Sequence, residues 1–301
     1  MNRMKYFNIH RVCQVGLLAM AILFSKLDVS AQTSDFQRRY DLLVARVGHG
    51  GLGVETLIRE WERSDSTNVR MLVAKFDYFF SKSQKEVVVS KNKPKYLGMD
   101  HLFSLQDSLG NKVYYFREMI YDDELYSQAL KTAERLVALY PDDLDHHFTK
   151  ANALIAYEKE NPDMAYAYLK ELVNLDKSRQ RPWNYEGVKR EPEFFPDAIQ
   201  VYCREFYAVS SPASMKVFHD LSLYMSTLYP QETCFLSNVA TYYLVAEENP
   251  KTALKYYRKV LKKNKSDEVA LRNSVMAARK MGNKKLEAKY RQTLIDYGYI
   301  K

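Results

Sequence analysis

The amino-acid sequence predicts an all-α protein of paired helices with one small β-hairpin insertion, and three observations carry that prediction. One segment repeats: Leu139-Tyr140-Pro141, a helical run and Glu160-Asn161-Pro162 return as Leu228-Tyr229-Pro230, a helical run and Glu248-Asn249-Pro250. After each of these, apolar residues recur at helical spacing. They are Ala165, Leu169, Leu172 and Val173 in the first copy, and Ala253, Tyr257, Val260 and Leu261 in the second. Ten glycines and nine prolines in 301 residues are too few for the turns of an all-β fold, while 47% hydrophobic content excludes wholesale disorder.

At the N-terminus, Arg3, Lys5 and Arg11 precede an apolar run, Val12 to Phe24, and Val29-Ser30-Ala31 supplies small residues at a cleavage position. This is the layout of a secretory signal over residues 1–31, with Gln32 as the first mature residue. The run is short of the roughly 20 apolar residues a membrane span needs. Cys13 lacks the small residue that a lipobox places before it. The expected compartment is the periplasm or the extracellular space.

Residues 32–85 read as an N-terminal helical region, in which Gly48-His49-Gly50-Gly51-Leu52-Gly53 joins two helices. Residues 86–118 read as the β insertion. Glu86 to Ser90 is β-branched, and Phe103–Gln106 and Lys112–Phe116 flank a turn at Asp107–Asn111. Residues 119–301 read as the repeat region. Pro162 and Pro250 open helices, where a missing N–H is harmless, and Pro141 and Pro230 follow helices that must stop. Between Ser178 and Pro196 lies a loop held by Trp183, Tyr185, Phe194 and Phe195.

The small, large and apolar positions of Leu144–Leu175, Cys234–Lys263 and Asp267–Tyr297 resemble tetratricopeptide repeats. Phe36–Asp65 is similar to a worn N-terminal pair. That resemblance implies a right-handed α-solenoid of helical hairpins whose first helices line a groove for an extended peptide. The positions comparable to the family's gripping residues are Lys150 and Asn152, then Asn238 and Tyr242, then Arg272 and Asn273. An asparagine offers a donor and an acceptor to peptide backbone, and Lys or Arg can neutralise a carboxylate.

Signatures of catalysis are missing from the sequence. The glycine-rich GHGGLG lacks the strand, loop and helix context and the Lys-Ser/Thr pair of a phosphate loop. His49, His101, His146, His147 and His219 are scattered, without metal-ligand spacing, and read as surface residues. Asp122-Asp123-Glu124 and Asp142-Asp143 read as helix-start acids. No cofactor and no metal is implied, and the expected function is a non-enzymatic scaffold or peptide-binding module. The alternatives are a glycan- or lipid-binding accessory protein, using the hairpin or the Trp183–Phe195 loop, and a hydrolase whose ionisable groups meet only in the fold.

Charge is unevenly placed. The chain carries +8, and four bases and one acid leave with residues 1–31, giving +5. Residues 251–301 hold fifteen bases and four acids, so the mature part before them is −6. The basic end fits an acidic partner or lipid head groups, or is a solvated lysine face; export argues against nucleic acid. Cys203 and Cys234 are the mature cysteines, and spacing alone leaves open whether they pair or stay as separate thiols.

Overall fold

The computed structural model describes residues 35–300, and the secretory leader expected over residues 1–31 lies outside the described residues. These residues hold twelve helices, with short strands at two places, and the chain divides into two compact units.

The first unit comprises residues 35–85, 120–150 and 182–190. Helices α1 (Asp35–Val47), α2 (Val54–Ser64), α3 (Val69–Ser83) and α4 (Asp123–Leu139) follow one another, and each of the first three packs on the next. Their core is Val54, Leu57, Ile58, Trp61, Met71, Leu72 and Leu136, with Phe36 stacked on Trp61 at 6.1 Å. The GHGGLG segment is the α1–α2 connector, as its context predicts, and Gly53 takes the left-handed φ of 83° just before α2. Asp122 caps α4 by accepting the Leu125 N–H at 2.9 Å, with Asp123 and Glu124 in the first turn.

Two expectations change in this unit. The strands β6 (Asn184–Tyr185) and β7 (Val188–Lys189) make a small hairpin out of the loop before Arg190. His146 and His147, on α5 (Leu144–Glu158), are both buried rather than exposed. Neighbours on a helix face different ways, but here both directions are occupied: Tyr140 lies 5.7 Å from His146, and buried Trp183 lies 5.3 Å from His147.

The second unit comprises residues 86–119, 151–181 and 191–300 of the described chain. It holds the end of α5, then α6 (Asp163–Ser178), α7 (Phe194–Val209), α8 (Pro212–Leu228), α9 (Thr233–Val245), α10 (Pro250–Lys263), α11 (Glu268–Lys280) and α12 (Lys284–Asp296). From α7 to α12 each helix packs on the next, and α7 also meets α9, α9 meets α11, and α6 meets α8. Adjacent plus next-but-one packing is the pattern of stacked helical hairpins. Ala165, Ala240, Ala253, Ala270 and Ala277 are buried, and the last four share one core with Leu244, Leu254, Tyr257 and Leu271.

The repeated words give repeated backbone. Tyr140 and Tyr229 end α4 and α8 with φ/ψ of −129/62° and −126/65°, and each N–H closes on the carbonyl four residues earlier. Pro250 sits in the first turn of α10 behind the cap Asn249, which accepts the Thr252 N–H at 3.0 Å. At the matching place Pro162 has no side-chain acceptor, and the Glu158 carboxylate takes the Met164 and Ala165 N–H groups at 2.7 and 2.8 Å instead. Pro196, expected to close a loop, lies inside the first turn of α7, where a proline costs no hydrogen bond.

The β insertion is a three-stranded sheet in the order β1 (Gln84–Lys91), β5 (Lys112–Tyr121), β4 (Phe103–Gln106), with the pair β2 (Lys95–Tyr96) and β3 (Met99–Asp100). Strands β4 and β5 form the expected hairpin, pairing Phe103 with Tyr115 and Gln106 with Lys112. Asp107 organises its turn by accepting the Leu109 and Asn111 N–H groups. Within the second unit two contacts hold this insertion to helical residues. Lys159, just beyond α5, meets Glu118 of β5 at 2.5 Å, and the Gly98 turn lies against the Ala208 carbonyl in the last turn of α7.

Helix α10 carries Lys251, Lys255, Arg258, Lys259, Lys262 and Lys263 and no acid. Four like-charged pairs stand four residues apart along it, each costing about 0.2–0.5 kcal/mol.

Gly98 and Gly110 test the docking of the insertion. Both have positive φ, but a Cβ at Gly98 would sit 2.1 Å from the Ala208 oxygen, and one at Gly110 would meet nothing within 4 Å. Gly110→Ala should cost about 1 kcal/mol of backbone strain, and Gly98→Ala at least about 2 kcal/mol, read by urea unfolding. Equal costs would show that the turn does not press on α7.

Candidate functional site

Helix α9 has the sequence TCFLSNVATYYLV, apolar on more than one side, because it packs on α8, α10 and α11. Phe235, Val239, Ala240 and Leu244 are its buried stripe. Asn238, Tyr242 and Val245 form another face at i, i+4 and i+7. On α11, Leu271, Ser274, Val275 and Ala278 are buried, and Val269, Arg272, Asn273 and Met276 make the opposite face.

These two faces hold four of the six residues expected to grip a peptide, and most of their polar atoms already have partners. The Asn238 amide donates to Gln200 Oε1 at 2.8 Å and to Ser222 Oγ at 3.1 Å, and its own oxygen accepts from Gln200 Nε2 at 3.3 Å. It therefore ties α7, α8 and α9 together. The Tyr242 hydroxyl donates to Glu247 at 2.7 Å, a bond that with partial burial pushes the phenol up to about 12. Arg272 donates to Glu268 at 2.7 Å and to the Tyr299 carbonyl at 2.9 Å. Asn273 bonds to the Tyr257 hydroxyl, which lies 2.9 Å from Thr241. Asn152, exposed on α5, accepts from the Tyr202 hydroxyl at 3.1 Å. Lys150 belongs to the first unit and reaches Glu134 at 3.2 Å.

Three residues on these faces were missed in the sequence. Val245, Val269 and Met276 are 46%, 58% and 48% exposed, although each is apolar and sits in a well-packed helix. Their signal was present as spacing: Val245 is seven residues after Asn238, and Met276 is seven after Val269. Beside them runs a ring cluster. His219 lies 4.5 Å from Tyr242 and 5.5 Å from Tyr243, and Tyr243 stacks on Tyr256 at 5.6 Å. The Trp183–Phe195 loop, by contrast, has both its terminal rings buried. The exposed aromatic of the insertion is Phe103, stacked on Tyr115 at 4.7 Å.

One group of ionisable side chains meets in the first unit. Tyr40 OH and His49 Nδ1 are 2.9 Å apart, and His49 Nδ1 is 3.9 Å from the Asp77 carboxylate. Burial pushes Asp77 up to about 7, raises Tyr40 and lowers His49. No serine, threonine or cysteine is bonded to His49 among the described residues. No set of three His, Cys, Asp or Glu side chains there is placed to hold a metal ion. Cys203 and Cys234 are free thiols, both pushed up to about 12 by burial.

No family model matches the chain, and no curated protein matches it. Among solved structures the chain is similar to one described as "Crystal structure of PilW, widely conserved type IV pilus biogenesis factor". The TM-score is 0.38 and the identity 10%, over 88% of this chain and 94% of that one. A likeness of that size does not bear on function, and the helical-repeat architecture rests on the packing of this chain's own helices.

Asp77 makes the first unit sensitive to pH. Its carboxyl holds a proton in the folded state that the unfolded chain releases near pH 4, so stability falls as pH rises from about 4 through about 7. His49 acts in the opposite sense at acid pH, and it is common to variant and wild type. Asp77→Asn should therefore raise the melting temperature over wild type by roughly 5 °C at pH 8 and by much less at pH 5. A gain of equal size at both pH values would mean that the carboxyl is not the titrating group.

Proposed function

We propose that this chain is a non-enzymatic, exported scaffold that binds an extended protein or peptide segment along the face shared by α9 and α11. The observation that supports it most is the exposure of Val245, Val269 and Met276 beside the polar Asn238, Tyr242, Arg272 and Asn273. Apolar side chains left in water on packed helices gain by being covered, and the Arg272 guanidinium, which has more N–H donors than its internal bonds use, can orient what covers them. Asn152 belongs to the same proposal as the comparable position of an earlier repeat, whereas Lys150 lies in the first unit and is no part of this face.

Internal hydrogen bonds hold those polar groups in place, so a peptide would meet a preorganised surface. Binding here is shape and charge complementarity, with no bond made or broken. The basic C-terminal helices would supply a second surface, for an acidic partner or lipid head groups. A second reading, glycan binding on the insertion, has in its favour the exposed Phe103–Tyr115 stack.

Selection from a displayed peptide library, with binders measured by fluorescence polarisation, tests the first reading. Met276→Glu should weaken selected peptides at least about tenfold, with the helical circular dichroism unchanged. Selected peptides that bind Met276→Glu and wild type equally, or that prefer a Phe103→Ser-sensitive site, would remove the α9–α11 face from consideration.

A further inference from the structure

The strongest unexplained feature of the second unit is the outer face of α10. It is the only described helix that carries basic residues and no acidic one. Elsewhere an exposed base is commonly matched by an acid a turn away, as Arg272 is by Glu268 and Lys216 by Asp220. On α10, Lys251, Lys255, Arg258, Lys259 and Lys262 are all exposed, and none forms an ion pair among the described residues. Their spacing places all five within an arc of about 100° and along roughly 16 Å of helix. The buried stripe of the same helix, Ala253, Leu254, Tyr257 and Val260, faces the core, so the basic row points away from it.

From this we infer that α10 docks the protein on an anionic lipid bilayer. The helix gives up stability to mutual repulsion along its row, and a surface of negative charge removes that repulsion. Four of the five charges are lysines. An ammonium is a hydrated point charge suited to a diffuse field of head groups, whereas recognition of single carboxylates or phosphates favours the arginine fork. No large apolar side chain projects from the row, so the contact is peripheral and electrostatic, not inserted. The inference rests on reading the basic end as a contact surface; peptide binding at α9–α11 is a separate matter and is measured separately.

The test is cosedimentation of the full chain with vesicles of phosphatidylcholine containing about 30% phosphatidylglycerol, and with phosphatidylcholine alone. The apolar stretch at residues 12–24 is common to every variant, so differences between variants report α10. Binding should require the anionic lipid and weaken steeply toward roughly 0.5 M salt. The triple variant K255Q/K259Q/K262Q should lose about a hundredfold in affinity, near fivefold for each lysine, while R46Q/R63Q/K85Q, which removes the same charge elsewhere, changes it little. Equal loss in both variants would reduce the effect to net charge and overturn the inference. So would binding that survives in the α10 variant, or tighter retention on duplex DNA than on the vesicles at the same salt. Peptide affinity in K255Q/K259Q/K262Q should stay at the wild-type value, which keeps failure of this inference distinct from failure of the peptide reading.

Discussion

Helices in the second unit pack through a core that mixes alanine with large side chains. Ala165, Ala240, Ala253, Ala270 and Ala277 are fully buried, and the last four pack in one cluster with Leu254, Tyr257 and Leu271. A small methyl side chain lets two helix backbones come close, and larger side chains beside it can fill the flanking grooves. The stacking depends on this alternation of small and large. It also fixes which faces remain for other use, since a helix buried on two sides has little surface left to offer.

That constraint explains why the amides are internal. A helix such as α9, with neighbours on several sides, cannot keep Asn238 unsatisfied near the core, because a buried amide without partners is costly. Gln200 from α7 and Ser222 from α8 supply the partners. The Thr241, Tyr257 and Asn273 group does the same between α9, α10 and α11. Polar side chains at helical spacing thus act as pins between hairpins, while the apolar Val245, Val269 and Met276 are what the same faces leave in water.

Local features were the legible ones. Pro162, Pro250, the acids before α4 and the Asp107–Asn111 turn act within a few residues of themselves, so the sequence states their effect directly. The stripe after each Pro is equally local, because period alone reveals it. What the sequence did not state depends on residues far away along the chain. His147 is covered by Trp183, which comes from a loop beyond α6. Strand pairs of two residues, β2–β3 and β6–β7, have no period to read. Asn152 and Asn238 look like free recognition groups until Tyr202 and Gln200 are seen beside them. The exposed valines and methionine escaped notice because an apolar residue on a helix is first assigned to the core.

Tyr140 and Tyr229 end their helices with the same backbone, yet their hydroxyls reach different acceptors. Tyr140 donates to the Thr67 carbonyl at 2.7 Å, and Tyr229 donates to the Asp176 carboxylate. In both cases the acceptor lies on an earlier stretch of chain, more than fifty residues back. The duplicated word is therefore half of a clasp, whose other half must be provided by whatever was built before it. A further copy grafted into this chain would close properly only behind a hairpin that presents an oxygen at that spot. In both copies, then, a phenol at the helix end fastens later chain to earlier chain, which gives the two joints a direction.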